Sequence, residues 1–151
     1  MSSEARPPIF RMAREDVWEF PRPNMDQVPE LIKYSAATVA VVARNVVGTP
    51  STFFNGVAPL FRGKGHDILG PAITLQYAPQ RPDQMPTGEY AKVEDQNHRI
   101  AVNITQEGYV LVVQADGNTR SGVLGGNMML ALQHNRKAAG LVVHGLSFRC
   151  A

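Results

Sequence analysis

The segment from residue 108 to residue 145 constrains the fold most, because two apolar runs flank a glycine-rich turn and a helical pattern. Residues 110–113 and 141–143 contain no polar side chain, which is typical of strands buried on both faces of a parallel sheet. Between them, residues 122–126 are rich in glycine and lead into a helix that we predict over 127–137. The order strand, turn, helix, strand predicts a βαβ unit with parallel strands, and therefore an α/β fold.

The chain before this unit carries a second strong helix signal. Ser35 is a typical N-cap, Gly48 suits the position after the last helical residue, and Pro50 prevents continuation, so we predict a helix over 36–47. Because it is apolar nearly all round, we expect it to be largely buried. Weaker patterns predict helices over 25–34 and 92–104, a strand over 68–77, a short strand within 53–61 and a proline-containing loop over 78–88.

Composition excludes several classes of protein. A length of 151 residues suits one domain, which we place at 25–151 after an extension over 1–24. Trp18 and Phe20 in that extension predict docking onto the domain or a neighbouring subunit. The net charge of +2, from scattered basic residues, does not indicate nucleic-acid binding. A single cysteine, Cys150, and the lack of a signal or membrane-spanning pattern lead us to expect a cytoplasmic protein with no membrane partner.

The carboxyl ends of the two predicted strands are the natural place for a site. The helix beginning near Gly125, Gly126 and Asn127 presents free amides, and Arg149 follows the next strand, so together they would suit a carboxylate or phosphate. A tight turn beside a surface arginine explains the same residues equally well. His144 is either a catalytic or, more readily, a structural histidine. Glu94 and His98 are spaced to share a metal ion, but an exposed helix face explains them better.

These residues resemble the RraA-like family, which contains 4-hydroxy-4-methyl-2-oxoglutarate aldolases that also act as oxaloacetate decarboxylases, and the RraA regulators of ribonuclease E. The resemblance covers the chain from about residue 31 to its end. It is most specific over residues 108–120, 124–127 and 139–145 together with Arg149, and weaker over 35–50 and 70–74.

The resemblance implies a swivelling β/β/α-type domain that assembles as a trimer or as a hexamer built from two trimers. Family members continue with further sheet and helix, so we expect this chain to lack the C-terminal portion. In the aldolases, Mg²⁺ or Mn²⁺ stabilises a pyruvate-like enolate, which is Lewis-acid catalysis. The resemblance assigns substrate binding to Leu124, Gly125, Gly126, Asn127, Met128 and Arg149, with Arg149 also in the catalytic role.

The metal-site pattern of the family is not preserved in this chain. Gly126 and Cys150 stand at the family's aspartate positions, and Val41, Tyr109 and His144 also replace expected acids or amides, so the metal ligands stay unassigned. Hard Mg²⁺ requires oxygen ligands. Two functions therefore remain open: a metal-dependent (class II-type) pyruvate aldolase or decarboxylase acting on a small 2-oxo acid, favoured by the family, and a non-catalytic, ring-forming module of the RraA type that acts through protein contacts, favoured by the missing acids.

Overall fold

A computed structural model describes residues 21–50, 52–53, 55–60, 67–78, 96–118, 122 and 124–145. Its helices are α1 (Val28–Leu31), α2 (Ala36–Val42, continued by a π-helical turn, Ala43–Val47), α3 (Asn97–Ile104) and α4 (Gly126–Leu130, continued by a π-helical turn, Ala131–Asn135). Its strands are β1 (Ala72–Gln76), β2 (Val110–Gln114) and β3 (Gly140–His144).

The three strands form one parallel sheet in the order β1-β2-β3. Helix α3 connects β1 to β2, and α4 connects β2 to β3, so both connections are crossovers through a helix. The predicted βαβ unit and the α/β class are confirmed. The strand predicted over 68–77 is shorter, because only residues 72–76 pair with β2.

One face of the sheet forms the core. Ile73, Leu111 and Leu141 lie in register across the three strands, as do Leu75, Val113 and Val143, and all of them join the hydrophobic cluster. Helix α3 contributes Ala101 and Val102, and the second crossover contributes Leu124 and Leu132. The central strand is the best protected, since Leu111 has no exposed surface and Val113 has 1%.

The boundaries of α2 match the prediction, but its expected burial is wrong. The Ser35 hydroxyl accepts a hydrogen bond from the Thr38 amide, and Gly48 adopts the left-handed conformation after the last turn. Only Ala40 is buried in this helix. Val41 and Val42 are 55% and 50% exposed, and Val46 and Val47 are 78% and 74% exposed. An apolar helix needs a surface to cover it, and the rest of the described chain covers only one side.

Three other predictions need correction or fall partly outside the described residues. The helical pattern over 25–34 yields only the single turn α1, while Met25 packs against the core cluster. Residues 52–53 and 55–60 contain no strand, where a short one was expected. Helix α3 begins at Asn97 rather than at Lys92, and residues 92–95 lie outside the described part.

The proline-containing segment 79–95 and the N-terminal residues 1–20, including Trp18 and Phe20, also lie outside the described residues. None of the helices described is both long enough and apolar enough to span a bilayer.

Candidate functional site

The candidate site lies at the carboxyl edge of the parallel sheet, where all three strands end. Strand β2 ends at Gln114. The chain continues through Asp116 and Gly117, whose φ angles are both positive, at 51° and 68° respectively. The chain then returns through Leu124 to the start of α4. Because α4 begins at the edge where β2 ends, its first amides face the region where ligands of such sheets bind.

The glycine loop at the start of α4 is exposed to solvent, and backbone hydrogen bonds tie it to the first turn of the helix. Gly125 is the N-cap, and its carbonyl oxygen accepts hydrogen bonds from the amides of Met128 and Met129 at 3.0 and 3.1 Å. The amides of Gly126 and Asn127 precede the first intrahelical bond, so they have no partner within the helix.

The space next to the glycine loop is free, since a Cβ built at Gly125 or Gly126 would meet nothing within 4 Å. Leu124 is 4% exposed, and Met128 packs on the core cluster, so both side chains hold the loop in place. The loop can therefore present two amides to an anion without side-chain obstruction.

The turns after β2 and β3 are in direct contact. A Cβ at Gly145, which has a φ of 84°, would lie 2.5 Å from the Asn118 amide nitrogen. This close approach fixes the point at which the chain leaves β3. Arg149, the predicted substrate-binding and catalytic residue, follows four positions later and lies outside the described residues, as does Cys150.

A polar row crosses the same edge, and of its three members only His144 was singled out from the sequence. Gln76, Gln114 and His144 are the last residues of their strands and are paired in register, on the sheet face opposite the core. The Gln114 Oε1 atom is buried without a hydrogen-bond partner in the described part of the chain. Leaving such an acceptor unpaired costs about 1–3 kcal/mol. His144 is exposed beside it. The signal in the sequence was the polar residue that closes the apolar runs of β2 and β3. Its pairing with Gln76 becomes evident only once the strands are aligned.

The other candidate residues do not converge on this edge. Tyr109, at a family acid position, is 2% exposed within the core, whereas Val41 lies on the exposed side of α2. His98 is half-buried on α3, and its pKa is lowered by desolvation and by the neighbouring Arg99. Glu94, its proposed metal-binding partner, lies outside the described residues.

The residues described do not fit a hard divalent cation. Gly126 has no side-chain oxygen where the family carries an aspartate. Within the described ranges, no three histidine, cysteine, aspartate or glutamate side chains are grouped so that they could hold a metal ion.

Comparison with known proteins agrees with the fold. A sequence profile described as RraA-like (Aldolase/RraA) matches residues 36–149. One similar solved structure is a Streptomyces coelicolor protein, described as an unusual member of the RNase ES inhibitor RraA protein family. It superposes with a TM-score of 0.66 at 32% identity, over 85% of this chain and 57% of its own. A search of curated proteins gave no match. The chain thus spans little more than half of that structure, but the profile covers most of this sequence, and the chain belongs to the RraA-like family.

Proposed function

We propose that this chain is a non-catalytic, ring-forming module of the RraA type that acts by protein contact. The observation that carries the proposal is the exposed apolar side of α2 and its π-helical turn. Four valines there are at least half exposed, from 50% at Val42 to 78% at Val46. Exposed apolar side chains grouped on one element mark contact surfaces rather than ordinary solvent-facing helices. Gly126 at a family acid position supports the same conclusion, because glycine has no side-chain acid or side-chain ligand.

The partner chemistry follows from this surface. We expect another copy of the chain to cover this surface within a trimer or a hexamer, because family members are oligomeric. The similar Streptomyces coelicolor structure is described as a member of an RNase inhibitor family. By this similarity, the assembled form would bind an endoribonuclease of the RNase E type and lower its activity.

Two measurements on the full chain test this function. Sedimentation velocity should show a trimer or hexamer, and Val46→Glu should shift it to smaller species, because a buried carboxylate opposes association. The matched control is Gln133→Glu, which adds the same charge at an exposed position on α4's π-helical turn. RNA cleavage by an RNase E-type enzyme should slow with the wild type and with the control, and slow less with Val46→Glu. A monomeric wild type that leaves cleavage unchanged would contradict the proposal.

A second candidate, a lyase acting on a small 2-oxo acid, is favoured by the open glycine loop. The amides of Gly126 and Asn127 would bind the substrate carboxylate, and Arg149 would pair with it across the carboxyl edge. Mg²⁺ or Mn²⁺ would supply Lewis-acid chemistry, with ligands that the described residues do not provide. The test is pyruvate release from oxaloacetate with and without Mg²⁺, with Arg149→Ala as control. Metal-dependent turnover lost in that variant would favour the lyase over the contact module.

A further inference from the structure

A cavity of about 550 Å³ lies at the amino edge of the sheet, opposite the glycine loop. Its walls come from residues 103–107, where α3 ends before β2 begins, and from residues 135–137, where the second crossover ends before β3 begins. The Gly108 amide donates to the Lys137 carbonyl oxygen at 3.1 Å and ties the two segments together. This volume lies within the range of small-molecule sites and exceeds what a bare ion needs.

The cavity is polar and positively charged. Among the described residues, Arg22, Arg136 and Lys137 line it against one carboxylate, Glu107, and Ile104 is the only hydrophobic lining residue. Such a lining disfavours apolar ligands, which gain little from it.

The positive charges are poorly compensated by the described residues. The Arg136 guanidinium donates to the Asn103 side-chain oxygen at 3.2 Å, which is a neutral partner. Lys137 pairs with Glu107 at 3.5 Å, but both side chains are about two thirds or more exposed, at 66% and 74%. An ion pair this exposed contributes little favourable free energy. The described lining therefore carries a net positive charge, which produces a positive field in the cavity.

The helix dipole explains why two of the three cations lie at this cavity, but it does not explain the third. Cations at a helix C-terminus interact favourably with the helix dipole, which accounts for Arg136 and Lys137. Arg22 is different, because it belongs to the segment before α1 and not to a helix end. It is half-buried, and no hydrogen bond or ion pair joins it to another residue in the part of the chain that the structure describes. An anion bound in the cavity would offset the repulsion between Arg22 and the two other cations that line it.

We propose that this cavity binds a small polar molecule through an oxyanion group, either a carboxylate or a phosphate. Guanidinium groups bind both oxyanions in a bidentate manner, and Arg22 and Arg136 supply two of them from different segments. Side-chain amides such as that of Asn103 can bind the hydroxyl groups of the same molecule. The cavity is separate from the glycine loop at the opposite edge, and this proposal does not depend on the proposed function.

Isothermal titration of the full chain with citrate and with inorganic phosphate, at constant ionic strength, tests the proposal. We expect saturable binding of at least one probe, and the preferred probe identifies the oxyanion. Arg22→Ala should weaken that binding by about tenfold, because a charge-assisted contact is lost. Glu107→Gln should strengthen it by about two- to fivefold, because a like charge is removed. Both side chains lie outside the core, so both variants should fold.

Two controls separate a built site from general charge effects. Arg44→Ala removes an exposed cation on the π-helical turn of α2 and should leave binding unchanged. Arg99→Ala removes an exposed cation on α3 that does not line the cavity, and it should also leave binding unchanged. Absence of saturable binding, equal weakening in Arg22→Ala and Arg44→Ala, or loss of binding in Arg99→Ala would each overturn the proposal.

Discussion

At the scale of single residues, Gly145 joins the two turns at the carboxyl edge. Its φ is 84°, and an added Cβ would lie 2.5 Å from the Asn118 nitrogen, which is backbone and cannot swing away. Gly145→Ala should therefore lower the free energy of unfolding by about 2–4 kcal/mol, combining left-handed strain with overpacking. Gly48→Ala is the matched control, since its φ is 77° and its Cβ would meet nothing within 4 Å. The control should lose only about 1 kcal/mol in urea unfolding. Equal losses would contradict the close contact.

His98 makes the stability of the chain depend on pH. Desolvation, and then the charge of Arg99, lower its pKa in the folded chain below the ordinary value of 6.5. As pH falls, the unfolded chain takes up the proton first, so the free energy of unfolding decreases between 6.5 and the lower folded pKa. Urea unfolding between about pH 7.5 and about pH 5.5 should show a shallower decrease in His98→Gln than in the wild type. An unchanged pH dependence in the variant would rule out this contribution.

At the scale of elements, the start of α2 depends on one side chain. The Ser35 hydroxyl accepts from the Thr38 amide at 3.2 Å and lies 2.9 Å from the Thr38 hydroxyl. Ser35→Ala should lower the free energy of unfolding by about 1 kcal/mol, because a helix amide loses its partner. Ser35→Asp keeps an acceptor oxygen and should retain most of the wild-type stability in the same unfolding experiment. If both variants lose the same amount, the cap is not what stabilises the helix start.

The same helix shows what the sequence could and could not predict. Ser35 and Gly48 mark the ends of the helical segment through local backbone chemistry, so the pattern placed them correctly. Burial of Val46 depends on a partner surface, which no local pattern contains. The row formed by Gln76, Gln114 and His144 depends on register between strands that are far apart in sequence.

The cavity was invisible in the sequence for a related reason. Arg22 and Arg136 line the same cavity only because of tertiary packing, since more than a hundred positions separate them in the chain. By contrast, the apolar runs of β2 and β3 and the glycine loop between them are local features, and they predicted the βαβ unit and the candidate site's place at the carboxyl edge.

At the scale of the whole molecule, the core face of the sheet is covered, whereas the apolar side of α2 is exposed. The core face of the sheet is covered by its own crossovers, and Leu111 is completely buried. The α2 side is not covered, and large hydrophobic residues that follow it, such as Phe53 and Leu60, are also exposed, at 68% and 77%. Apolar surface of this kind is stabilised when a second copy covers it, so folding and association should be coupled.

Coupling of folding to association predicts that thermal stability depends on protein concentration. Unfolding of an oligomer also dissociates it, so a tenfold increase in concentration should raise Tm by about 2–4 °C. Val46→Glu should remove most of this dependence, because it places a charge on the exposed apolar side of α2 and its π-helical turn. Gln133→Glu should preserve the dependence. Scanning calorimetry over two decades of concentration measures the slope for all three proteins. A slope of zero in the wild type would mean that the exposed valines do not form a self-contact, and that α2 serves a different partner or none.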